Sequence, residues 1–426
     1  MNNFFIAQTF GKSSNYTDIP NYLFKEHNVK KGLRNEDGTG VRVGLTRVSD
    51  VVGYEIQDGK KVNVPGKLFY RGIEIGDLVK GKGNARYGFE ETAFLLLFGY
   101  LPSKKELNEF AGILRHFYPL PDEFLEKNLL RSPSRNLMNS LQQSILSLYN
   151  YDEDPDNVDP YQTLLKGVSI LAKLPSMAAY AYQNKIHYYD RESLIIHYPK
   201  EEYSIAENIL YMLRRDGVFT EQEADLLDVM LMIHADHGGG NNSTFTNVVI
   251  SSTGTDIYSS ISASIGSLKG PKHGGANIRC SEMISAIEKE IGLKASDAQI
   301  KQVIKRILDK DFYDHTGLVY GLGHAVYTVS DPRADLLKSC CEKLAKQKKR
   351  EDEYEFLKKS PKKLSPETEK LSQTMWTSTA DSLIICYRYR KICTRRSSSA
   401  HVWQAGWRTI SKTKCMMERS CVRRSN

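Results

Sequence analysis

From Glu90 onward the apolar residues of this chain recur at intervals of three and four, a period that admits little but helices. Phe94, Leu97 and Phe98 form one such set, and Leu226, Leu227, Met230 and Ile233 another; residues so spaced share one helical face. Ahead of them, Val41 to Val52 and Lys61 to Tyr70 are rich in β-branched residues, and Asp58-Gly59 between them is a hairpin signal. The expectation is a mainly α protein with a minor sheet near its N-terminus. Its 426 residues, 40% of them hydrophobic, can bury one large core or two of ordinary size. No apolar run approaches the roughly 18 residues of a membrane span. The start, Met1-Asn2-Asn3-Phe4-Phe5-Ile6, lacks the basic stretch and small-residue cleavage site of a secretory signal. A cytoplasmic protein with no membrane partner is expected.

Glycine and proline interrupt the helical pattern at Gly238 to Gly240, Gly270 to Gly275 and Gly321 to Gly323. Such breaks let backbone approach something closely. Each carries a histidine: His237 precedes Gly238, His273 lies in Gly270-Pro271-Lys272-His273-Gly274-Gly275-Ala276-Asn277, and His324 follows Gly321-Leu322-Gly323. A lone histidine is usually structural. Three beside glycine-rich breaks point to a site where imidazole and backbone N–H meet a ligand together and protons move near neutral pH. Arg333, in Asp331-Pro332-Arg333, adds a planar fork suited to a carboxylate. Together they describe a pocket for a small dicarboxylate whose carbonyl is to be protonated or attacked. A metal site is the weaker reading, because His234 and His237 lack a third ligand at a recognised spacing.

These segments resemble the signatures of the citrate synthase family in order and spacing. The resemblance rests on His234-Ala235-Asp236-His237 with Asn241-Asn242-Ser243-Thr244-Phe245, on the His273 segment, and on Gly321-Leu322-Gly323-His324-Ala325-Val326-Tyr327 with Asp331-Pro332-Arg333. Upstream, Leu68-Phe69-Tyr70-Arg71-Gly72-Ile73 and the stretch from Phe89 to Gly99 are similar to the family's N-terminal blocks. The likeness covers residues 40–358. It implies a mainly α, two-domain fold, with a large helical domain carrying a minor N-terminal β element over residues 1–275 and a small helical domain over 276–380. It implies an acyltransferase that condenses acetyl-CoA with oxaloacetate and water to give citrate and CoA, with acetyl-CoA as substrate, no separate cofactor and no metal. By the same resemblance His237, His324 and Arg333 bind oxaloacetate, His324 also donates to its carbonyl, and His273 polarises the thioester. A homodimer or a multiple of dimers is expected. A 2-methylcitrate synthase using propionyl-CoA, and a catalytically inactive dicarboxylate-binding homologue, are the alternatives.

The sequence leaves the family's pattern near Lys359. The general base of the family is the aspartate of an Asn-Val-Asp-Phe-Tyr-Ser-Gly motif, and Thr374-Met375-Trp376-Thr377-Ser378-Thr379-Ala380 stands in its place without an acid. From Pro361 to Asn426 there are 14 Lys and Arg against 4 acids, a net +10, so the chain's +8 leaves 8 − 10 = −2 for the remainder. Every tryptophan (Trp376, Trp403, Trp407) lies in that segment. Its cysteines, Cys386, Cys393, Cys415 and Cys421, have no metal-ligand spacing. Met is encoded only by ATG, Trp only by TGG, and Thr codons begin AC. The frame one nucleotide earlier therefore reads Val-Asp across Met375, Trp376 and Thr377, and suitable synonymous codons on either side restore the whole motif. A frameshift near Lys359 explains the missing base, the charge and the tryptophans together, and leaves residues 381–426 as an aberrant tail. The rival account, a basic aromatic arm for nucleic acid, lacks any helical or strand period in the tail, so no nucleic-acid partner is expected.

Overall fold

The computed structural model describes residues 21–26, 46–58, 60–83, 85–238, 241–270, 276–320, 327 and 329–359. The chain forms two units, Met1–Val43 and Gly44–Asn426. Of the first, only the helix α1, Asn21–Glu26, is described. In the second, strands β1 (Ser49–Gln57) and β2 (Lys60–Tyr70) pair antiparallel, and the short β3 (Ile73–Glu74) pairs with β2, in the order β1-β2-β3. Asp58 turns the chain at φ 51°, as the hairpin signal anticipates, while its partner Gly59 lies outside the described residues. Of the β-branched stretch from Val41 to Val52, residues 41–45 lie outside the described residues; the described strand starts at Ser49 and runs past Val52 to Gln57. It runs up to the turn because pairing with β2, not local preference, decides its extent. Between the pairs Val52–Lys67 and Tyr54–Asn63 the register shifts, so β2 carries extra residues around Pro65 and Gly66. A bulge is where proline, which has no N–H to give, fits a ladder.

Helices make up the rest of the described unit: α2 (Ile75–Lys82), α3 (Gly88–Phe98), α4 (Lys104–His116), α5 (Leu137–Ser147), α6 (Pro160–Asp190), α7 (Ile205–Leu213), α8 (Glu221–Ile233), α9 (Asn242–Ser251), α10 (Ile257–Lys269), α11 (Ala276–Ile291), α12 (Asp297–Leu308), α13 (Pro332–Gln347) and α14 (Glu351–Lys359). Their starts follow from side chains that accept the orphan N–H groups of a first turn. Ser103 with Glu106, Ser204 with Glu207, Thr220 with Glu223, and Ser296 with Gln299 form complete capping boxes. Leu226, Leu227, Met230 and Ile233 of α8 are all buried, as their spacing predicts. In α3 the spacing finds the helix but not its buried face: Phe98 is exposed, whereas Phe89, Leu95 and Leu96 are buried. This helix packs against α2, α4, α7 and α8 together, so it has no single apolar stripe.

Two hydrophobic cores result. The first joins the sheet to α2 through α8, α10 and α13, and includes Leu337, Cys341 and Leu344 of α13. The second gathers Cys280, Met283, Ile284 and Ile287 of α11, Ile300, Val303, Ile304 and Ile307 of α12, and Phe356. The charged run from Lys346 to Glu353 is not all solvated surface. Lys348 reaches the buried Glu223 at 2.9 Å, and Arg350 pairs with Glu353 at 2.5 Å. Burial works to raise the Glu223 carboxyl, but hydrogen bonds from Arg214, Thr220 and Lys348 bring it down to about 2.

Inside the first core, carboxylates cap helices from a distance. Asp228 of α8 accepts from the N–H groups of Gly88 and Phe89 at 3.0 and 2.8 Å and pairs with the buried Lys82 at 3.4 Å. Glu90 Oε1 accepts the Ile205 N–H at 2.8 Å at the start of α7. Burial, with the nearby Glu207 carboxylate adding to it, pushes the Glu90 carboxyl up to about 7 against hydrogen bonds that lower it. The native state then holds the proton more tightly than the unfolded chain. The stabilisation from that proton is full below the ordinary value of 4.5 and is lost as pH rises through about 7. Over that window the loss amounts to roughly 3 kcal/mol. Glu90→Gln mimics the protonated acid, and urea unfolding between pH 5 and pH 8.5 should show its stability declining less steeply than that of the parent. Parallel declines would show that Glu90 is already ionised in the fold.

Candidate active site

Where α8 ends, the chain turns into the first of the candidate segments. His234 caps the helix and bonds Met230 O through Nδ1 at 2.8 Å, which makes it a structural histidine. Asp236 is buried, and the N–H of His237 donates to its Oδ1 at 2.6 Å. Gly238 follows at φ 74°, where a Cβ would be strained and would meet Val51 Cγ2 at 3.0 Å. Asn241 then caps α9 by accepting the Ser243 N–H. The His234-Ala235-Asp236-His237 segment is thus a helix end and a tight turn, with the imidazole of His237 half-buried beyond it.

Asp331-Pro332-Arg333 starts α13. Asp331 is its N-cap and accepts the Arg333 N–H at 3.0 Å, and Pro332 occupies the first helical position, where no N–H is needed. The same carboxylate takes the Arg333 side chain, with Nε to Oδ1 at 3.0 Å and Nη2 to Oδ2 at 2.7 Å. Both residues are buried. Burial alone would lower the basicity of this guanidinium, but the charge and hydrogen bonds of Asp331 hold it further above its ordinary range. Asp331 faces Nε and Nη2, so a second anion would approach the Nη1 side.

The two segments meet at Tyr327. Its ring stands edge-on to the His237 imidazole, centroids 5.3 Å apart at 85°, and the Arg333 Cζ lies 5.8 Å from its centroid. Tyr327 is fully buried, its hydroxyl 3.5 Å from Lys67 O. His237 and Arg333 are therefore brought to one place, with an imidazole and a permanent cation both beside one aromatic ring. Such a pair suits a small anion that also offers a hydrogen-bond acceptor. His273 and His324 lie outside the described residues, as does every residue after Lys359. Among the described residues no cluster of His, Cys, Asp or Glu could hold a metal ion. An open hollow nearby is lined by Thr46, Arg47, Ser49, Asp50, Phe69 and Gly72.

A family profile described as citrate synthase, C-terminal domain, matches residues 36–392. The chain belongs to the citrate synthase family. It is 35% identical to citrate synthase of Haloferax volcanii over 277 residues, which is 64% of this chain and 66% of that one. It is 32% identical to citrate synthase of Synechocystis over 342 residues, 79% of this chain and 75% of that one. Its fold matches the citrate synthase of Thermoplasma acidophilum, solved as a ternary complex with carboxymethyl coenzyme A and oxaloacetate, at a TM-score of 0.70 and 21% identity over 89% of this chain and 90% of that chain. The mainly α expectation is met by a citrate synthase fold. Family membership and the relatives' names support an acyl-transferring citrate synthase and give no support to the 2-methylcitrate alternative.

Spacing and composition had singled out neither Tyr327 nor Asp331 as part of this arrangement. Asp331 was legible in principle, since aspartate before proline is a helix-start signal. Tyr327 was not, because nothing in a sequence says which ring two distant segments will both approach. Replacing Asp331 with alanine removes a cap and strands a buried cation, and should cost about 3 kcal/mol or more in urea unfolding. A loss below about 1 kcal/mol, the scale of a surface ion pair, would contradict the buried pairing.

Proposed function

We propose that this protein is built to act as citrate synthase, condensing acetyl-CoA with oxaloacetate and water to citrate and CoA. The observation that carries the reading is a family match over most of the chain, in which two of the family's signature residues, His237 and Arg333, stand together around Tyr327. The oxaloacetate and coenzyme A analogue bound by the Thermoplasma acidophilum enzyme support the same substrates here. In this reading Arg333 and His237 hold the dicarboxylate, and His324 binds oxaloacetate and donates to its carbonyl oxygen. His273 polarises the acetyl-CoA carbonyl while a carboxylate removes a methyl proton. The enol carbon attacks the oxaloacetate carbonyl, and water then cleaves the thioester, releasing CoA as the thiol. The small domain spans residues 276–380 against a large domain of 1–275, the enzyme is cytoplasmic, and it works as a dimer or a multiple of dimers. No described helix is long and apolar enough to cross a membrane, in keeping with this reading.

The carboxylate is what the chain lacks. Residues 374–380 contain no acid where the family's aspartate belongs. A second reading therefore holds for the chain as it stands: a dicarboxylate-binding citrate synthase homologue that turns over poorly, because the frame shifts near Lys359. Loss of a positioned base forfeits about two to four powers of ten in rate. Restoring the frame should raise CoA release at saturating oxaloacetate and acetyl-CoA by at least that factor, and His273→Ala or His324→Ala in the restored protein should lower it by about a hundredfold. Equal rates from the two frames would mean that another acid, Asp381 first, serves as the base.

A further inference from the structure

The β1–β2 hairpin touches both segments that bring His237 and Arg333 together. From β1, the buried Ser49 hydroxyl donates to Asp236 Oδ2 at 2.5 Å and accepts the Gly238 N–H at 3.2 Å. From β2, the buried Tyr70 hydroxyl donates to Asp236 O and accepts the Asp236 N–H, both at 3.1 Å. Burial keeps this phenol protonated, its pKa well above the ordinary value. The residues on either side of His237 are thus held at four points by two hydroxyls that each donate and accept. At the bulge of β2, the Gly66 N–H donates to Ser330 O at 3.1 Å. A Cβ on Gly66 would lie 2.2 Å from that oxygen and 2.6 Å from Tyr327 Cδ1, so only glycine lets the strand come this close.

We propose that Ser49, Gly66 and Tyr70 are positioning residues, and that the hairpin is a template fixing the separation of His237 from Arg333 and so the affinity for the dicarboxylate. The proposal rests on the citrate synthase reading for the identity of the ligand, but not for the clamp itself. Two groups on separate loops would each lose freedom when a ligand joins them. Groups already held in place lose less, and affinity rises accordingly. Neither hairpin side chain, Ser49 or Tyr70, need touch the ligand for this to operate.

The test uses the full 426-residue chain with histidine labelled with carbon-13 at Cε1, the His237 signal being identified by its loss in His237→Ala. Held edge-on to Tyr327, that ring carries a ring-current displacement that an unconstrained imidazole lacks. Ser49→Ala and Tyr70→Phe should each move the His237 signal toward that of an exposed histidine and weaken oxaloacetate binding in calorimetry by about tenfold, the scale of one or two lost hydrogen bonds. Ser49→Thr keeps the hydroxyl and should restore both readouts. The signal of His197, whose Nε2 lies 3.1 Å from Arg215 O on another part of the fold, should not move. Tyr70→Phe keeps the packed ring, so it decides the matter even if Ser49→Ala does not fold. An unmoved His237 signal in Tyr70→Phe overturns the proposal whatever happens to affinity. A parent chain that binds no oxaloacetate counts against the functional reading alone, because the ring signal still judges the clamp.

Discussion

A guanidinium buried inside a protein must be neutralised in place, and Arg333 meets that requirement through Asp331. Removing an ion of this size from water costs several kcal/mol even after the surroundings relax, so neither residue is stable there without the other. The pairing dictates local structure in turn. Because Asp331 also caps α13, the position of the cation is tied to the start of that helix, and the ring of Tyr327 is fixed beside it. The other end of α13 is held by a second pairing of similar kind, Lys348 with the buried Glu223, which is itself part of the capping box of α8. Since α8 leads directly into Asp236 and His237, the helix that carries the arginine and the helix that leads to the histidine are coupled at both ends.

The same logic recurs away from the site. Asp228 and Glu90 satisfy the first turns of α3 and α7 from other helices, so the first core is stitched by buried carboxylates as well as filled by apolar side chains. Buried polar groups with defined partners restrict a core to one arrangement, whereas apolar contacts of similar volume tolerate several. For the proposed function, which needs His237 and Arg333 held from distant segments beside one ring, that restriction is useful. The hairpin adds hydroxyl bonds to Asp236 and Gly238 and one close backbone contact at Gly66.

Much of this was legible in residues and little of it in their geometry. Helical periodicity located α8 and its buried residues, and the Asp58-Gly59 signal located the hairpin. Motif spacing singled out His237 and Arg333, which the structure places together. The first strand runs past its expected end at Val52 because pairing overrides local composition, and Phe98, expected inside from its spacing with Phe94 and Leu97, is exposed because α3 is surrounded on several sides and has no single apolar stripe. Ser49 and Tyr70 carry no chemical signature: a serine and a tyrosine in a β-rich stretch look like ordinary strand residues until Asp236 is found opposite them. The missing base shows the reverse case: residues 374–380 hold no acid, which is legible in the sequence, whereas they lie outside the described residues.

The central claim is that Arg333 and His237 form the binding site for a small dicarboxylate. Titrating oxaloacetate into the full chain by calorimetry, with Arg333→Lys beside it, tests this directly. Lysine keeps the charge but not the fork that can serve Asp331 and a carboxylate at once. The account predicts saturable binding by the parent, weakened by about tenfold or more in Arg333→Lys, the loss expected for a charge-assisted hydrogen bond. Equal affinities in the two proteins, or no saturable heat in the parent, would contradict it.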